Sequence, residues 1–95
     1  NLFSLGEEQL TANGITASNN AANGFVFHLD STNGPGDSIA SIYNSDVLDN
    51  GVMDVEGTAA GDSGDAFITL DHVNLASYLL TVSSVSGGAG ITITP

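Results

Sequence analysis

The sequence predicts an all-β protein: a single antiparallel β-sandwich of seven or eight strands, Ig-like or prealbumin-like, formed by residues 1–95 as one domain. Three observations predict it. The dipeptide Asn-Gly, which favours the positive φ angles of type I′ hairpin turns, occurs at Asn13-Gly14, Asn23-Gly24, Asn33-Gly34 and Asn50-Gly51. Between these signals lie short stretches rich in β-branched and aromatic residues rather than long amphipathic runs. A chain of 95 residues without cysteine has room for one modest core and no disulfide to reinforce it.

Taken in order, Ser4-Leu5-Gly6-Glu7 has the form of a helical capping box, which Gly6 weakens. Strands are expected at 14–17, 25–30, 38–43, 47–49, 52–56, 66–73, 78–85 and 91–94. Residues 74–80 also fit a helical turn, but strand periodicity after Ser77 argues against it. Alternation turns Phe25, Phe27 and Leu29 to the core, and likewise Ile68 with Leu70 and Tyr78 with Leu80 and Val82. Phe67, Leu79 and Val26 are left on outer faces. A two-residue loop at Asn50-Gly51 would pair Asp49 with Val52, Val47 with Asp54 and Ser45 with Glu56.

Charge excludes more than it identifies. The chain has eleven aspartates and glutamates and neither lysine nor arginine, a formal net charge of −11. Nucleic acids and anionic membranes are bound largely through basic side chains, so neither is an expected partner. Every carboxylate must be stabilised by solvent, backbone, cations or neighbouring subunits, and stability should rise with salt. No apolar run approaches the length of a membrane span. The start at Asn1 reads as a processed or trimmed N-terminus, and a chain without a site for trypsin-like proteases suits an extracellular or cell-surface location.

Residues 65–82, DAFITLDHVNLASYLLTV, resemble the closing strands of prealbumin-like sandwich repeats in bacterial surface proteins, the collagen-adhesin B-type and carboxypeptidase-regulatory-like domains. Asp65 begins the turn, Ile68 and Leu70 take the apolar strand positions, Val73 replaces the family's Leu, and Tyr78 opens a strand ending in Leu80-Thr81-Val82. Ala66 and Ala76 stand where the family prefers glycine. The resemblance implies an extracellular structural module and no catalysis. The Lys-to-Asn cross-link of many such domains is ruled out by the missing lysine. Tyr78 fits either a corner tyrosine or a plain core residue.

Three acidic groupings are candidate cation sites. Asp49, Asp54 and Glu56 would share one face of the expected hairpin, Asp62 and Asp65 bracket a short loop, and Asp30 and Asp37 bracket another. No cofactor is demanded by these residues; calcium, which takes six to eight oxygens, is the ion they would suit. Gly87-Gly88-Ala89-Gly90 begins like a calcium-binding nonapeptide repeat, but Thr92 replaces its aspartate. His28 and Asp30 share a strand face, and Asp71 adjoins His72, without the four-ligand spacing of structural zinc. No Gly-x-Ser-x-Gly elbow is present, and an enzyme is not expected.

The ends suggest function. Glycines 87, 88 and 90 precede the alternating strand Ile91-Thr92-Ile93-Thr94, and Leu2, Phe3 and Leu5 form an apolar patch. Segments 1–12 and 88–95 could therefore exchange strands between copies. The expectation is a structural subunit of an extracellular filament or pilus-like fibre, a homo-polymer meeting through Leu2, Phe3, Leu5, Phe67, Leu79, Ile91 and Ile93. A calcium-dependent surface adhesion module is the alternative, and a viral capsid-decorating protein, which would form a closed trimer, is the second.

Overall fold

The computed structural model describes residues 2–3, 8–32 and 34–94. The described residues form eight strands: β1 (Leu2–Phe3), β2 (Glu8–Asn13), β3 (Asn23–Ser31), β4 (Ser38–Asp46), β5 (Met53–Gly61), β6 (Ala66–Asn74), β7 (Tyr78–Ser84) and β8 (Ala89–Thr94). Successive strands alternate between two sheets, β1-β3-β5-β7 and β2-β4-β6-β8. Every neighbouring pair is parallel. Parallel neighbours need a crossover connection, and here the crossover is the strand of the opposite sheet. The chain therefore winds as a flattened coil in which each turn, or rung, adds one strand to each sheet.

The antiparallel Ig-like or prealbumin-like β-sandwich expected from sequence is thus corrected: all-β holds, but strand direction and connectivity differ. The reason lies in how the Asn-Gly signals are used. Gly14 (φ 70°) stands in register with Asn44 (φ 50°) and His72 (φ 55°), because Asn13 pairs with Tyr43 and Tyr43 with Asp71. These positive-φ residues bend the chain at the same place in successive rungs, Asn44 and His72 two residues before the ends of β4 and β6. At a corner of the coil, Asn19 (φ 61°) and Asp49 (φ 60°) precede Asn20 and Asn50, whose side chains bond each other at 2.9 Å. Asn50 also donates to Ala17 O at 3.0 Å, so its amide joins rungs instead of closing a hairpin. Any side chain on Gly51 would overlap the backbone of Ala21.

Further corrections follow. Residues 14–17 contribute only an isolated bridge, Thr16 to Asp46, and residues 47–49 pass round a corner with Val47 buried. The strand expected at 52–56 runs from Met53 to Gly61, and Glu8–Asn13 is a strand that was not expected. Tyr78 opens β7, as strand periodicity required, but is exposed, and the corner-tyrosine reading falls with the antiparallel fold. The capping box at 4–7 and the turn signal at Asn33 lie outside the described residues.

The core is a set of columns. In one sheet Leu10, Ala40, Ile68 and Ile91 stack in register beside Ala12, Ile42, Leu70 and Ile93. In the other, Leu29, Ala59 and Val82 stack beside Phe27, Gly57 and Leu80. Leu29, Ile42, Val47, Val55, Ile68 and Leu70 are fully buried, each contributing roughly 1.5–3 kcal/mol relative to exposure. Phe27 spreads across Gly57, where a Cβ would overlap the ring, and meets Phe25 edge-on with centroids 5.9 Å apart.

His72 tests the assignment of this bend. A left-handed backbone costs an ordinary residue about 1–2 kcal/mol and is worst for β-branched side chains. His72→Val should lower the urea-unfolding free energy by about that amount, while His72→Asn or His72→Gly should not lower it. Equal losses for all three would show that the bend does not need positive φ.

Candidate assembly site

In a chain without basic residues, the acids find backbone amides instead. Asp54, 2% exposed, accepts Ala76 N at 2.8 Å and Ser77 N at 3.2 Å on Oδ2. Its Oδ1 accepts Asn50 N at 3.2 Å and Asn50 Nδ2 at 3.0 Å. The Ala76 amide leads the effects that hold this carboxyl below its ordinary range, against the opposing pull of burial; Asn50 and Ser77 add to it. Asp37 Oδ1 accepts Asp65 N at 2.7 Å, and Asp65 Oδ1 accepts Gly88 N at 2.8 Å, so one carboxylate after another holds the next rung's turn. The buried Glu8 accepts Asp30 N at 2.9 Å on Oε1, while its Oε2 is buried without a partner among the described residues.

These roles separate the expected cation ligands. Asp49 sits at an exposed corner, Asp54 is buried among amides, and Glu56 lies on the outer face of β5, 3.4 Å from Asn23 Nδ2. The three are not gathered, because Asn50-Gly51 does not close the hairpin that would set Asp49 beside β5 and because Asp54 is taken up by Asn50 and Ala76. Asp65 is bound to the next turn, and the backbone carbonyl of Asp62 accepts Ser86 N at 2.9 Å. Among the described residues no three His, Cys, Asp or Glu side chains are grouped to hold a metal. Asp30 is held below its ordinary pKa first by the Thr32 hydroxyl and then by the Thr32 amide, with His28 nearby adding a smaller effect. His72 Nδ1 lies 2.6 Å from Asp71 Oδ1 at the surface.

A different surface stands out at the C-terminal rung. No acidic residue follows Asp71, so β7 and β8 carry no charge. Ile91 and Ile93 occupy the columns of Ile68 (1% exposed) and Leu70 (0%), yet they are 42% and 39% exposed, since among the described residues no rung covers them. Tyr78 stands likewise in the column of Val55 at 51%. Among the described residues β7 pairs only with β5 and β8 only with β6, which leaves both outer edges open. Exposed edges are ordinarily blunted by charges, proline or bulges. These strands contain none of the first two.

Of the expected interface residues, Ile91 and Ile93 meet on this end. Phe67 lies on the outer face of β6 and Leu79 on the outer face of β7, in opposite sheets. Leu2 and Phe3 form β1 beside β3, and Leu5 lies outside the described residues. Sequence reasoning missed Tyr78 as part of this end, having assigned it to the core. The uninterrupted absence of charge after Asp71 was the signal that could have found it.

Among the described residues no helix is long and apolar enough to cross a membrane. No family model, curated protein or solved structure matches the chain.

Proposed function

We propose that this protein is a structural subunit of an extracellular filament or pilus-like fibre that assembles by strand addition at the ends of its rung stack. The observation that carries the reading is the rung of β7 and β8, whose outer edges are unpaired among the described residues, with Ile91 and Ile93 in core columns and no charge on either strand. A stack of this kind has no geometric end, since each rung presents the next with the same apolar columns and the same unpaired amides and carbonyls. The described carboxylates lie in the preceding rungs, where they oppose non-specific clumping while the uncharged edge remains free to pair.

Negative-stain microscopy and light scattering of the purified chain test this across salt and pH. Filaments should lengthen as salt is raised or as pH falls toward the isoelectric point near 4.1. Ile91→Lys with Ile93→Lys should abolish them while leaving the folded monomer intact. Monomeric particles under every condition would refute the reading.

A further inference from the structure

Resting on the filament reading, the geometry points to a definite partner for the C-terminal rung: the N-terminal rung of a second copy, added in parallel so that β2 of the incoming chain pairs with β8. Three features favour this occupant over a second C-terminal rung.

The first is continuity. Extending the register places Leu10 of the incoming copy over Ile91 and Ala12 over Ile93, which continues the columns Leu10-Ala40-Ile68-Ile91 and Ala12-Ile42-Leu70-Ile93. The outer hydroxyl column Thr11, Ser41, Thr69 and Thr92 continues in the same way. The intersubunit contact then repeats a rung-to-rung contact that the chain already makes in each sheet.

The second is charge. Glu8 is the one carboxylate on β2, and in the extended register it meets Ala89, which is small and uncharged. Tail-to-tail pairing would bring uncharged rungs together but leave Glu8-bearing ends to meet each other, so growth would stop at a dimer. The third is direction. All of the described strand pairs are parallel, and only parallel addition preserves that order across the junction.

The absence of cysteine makes the test direct. Thr11 and Thr92 are exposed on the outer face. Within one chain β4 and β6 separate them by three strand spacings, about 14 Å, too far for a disulfide; across the proposed junction they are direct neighbours about 4.8 Å apart. Under mild oxidation the Thr11→Cys/Thr92→Cys variant should give a ladder of covalent dimers, trimers and larger multimers, while each single variant stays monomeric on a denaturing gel. A dimer from Thr92→Cys alone would establish tail-to-tail pairing and overturn the proposal. Filaments visible by microscopy without an 11–92 disulfide would overturn the register and leave the filament reading standing. Absence of any assembly would overturn both.

Discussion

Asp54→Ala should lower the unfolding free energy by about 3 kcal/mol, because hydrogen bonds to a charged group are each worth about 1.5–3 kcal/mol and some of the released donors can reach water. The carboxylate holds Asn50 at one corner of the coil and Ala76 with Ser77 at the start of the next rung. Asp54→Asn should lose nearly as much, since an amide NH2 would face N–H groups that already donate. The pH dependence has a definite sign. The folded carboxyl is held below its ordinary value of 3.8, so its contribution is full above that value and disappears as pH falls through the lower folded value. Urea titrations from pH 6 to pH 2 should show a steeper acid loss in the parent than in Asp54→Asn. Identical profiles would show that Asp54 does not stabilise the fold through its charge.

Phe27→Ala should cost about 3–5 kcal/mol, the usual range for deleting a buried aromatic ring. The ring lies across Gly57 in the neighbouring rung and against Phe25, so its removal opens a void between rungs. Gly57→Ala should cost about 1–3 kcal/mol for the opposite reason, since its methyl would overlap the same ring. The two changes share one space and must couple. In a double-mutant cycle, Gly57→Ala should be far less damaging when Phe27 is already alanine. Additive losses would mean that Phe27 does not pack on Gly57.

The faces of the strands were legible in the sequence, and the direction of the strands was not. Phe27, Leu29, Ile68 and Leu70 are buried, while Val26, Phe67 and Leu79 are exposed, because a period of two survives whether neighbours are parallel or antiparallel. Asn-Gly misled because the left-handed backbone of a type I′ turn is also what a coil corner needs, as Gly14 shows. The repeat was hidden by unequal rungs: 30 residues separate Asn20 from Asn50, 28 separate Asp37 from Asp65, and 23 separate Asp65 from Gly88. Gly57, Ala59 and Ala60 hid the second half of β5, so that the strand was expected to end at Glu56, although the glycine is what lets Phe27 lie across it. β2 offered only Leu10 and Ala12 as apolar residues, too few to mark a strand.

The candidate site was partly legible. Ile91 and Ile93 could be placed at an exposed end because they alternate with threonine beyond a glycine-rich stretch. The acidic residues could not be assigned: their partners are amides brought close only by rung stacking, which side-chain identities do not encode. Asp54 appeared to belong with Asp49 and Glu56, whereas the corner at Asn50 turns it inward.

The central claim is that the chain winds as a parallel coil whose carboxylates bind backbone amides of adjoining rungs. Nuclear Overhauser spectroscopy of the isotope-labelled monomer at low concentration tests it most directly. A parallel coil requires backbone contacts from Ile42 to both Ala12 and Leu70, and from Ala59 to both Leu29 and Val82. Close α-proton contacts of the antiparallel type between Asp49 and Val52, with those parallel contacts missing, would contradict it.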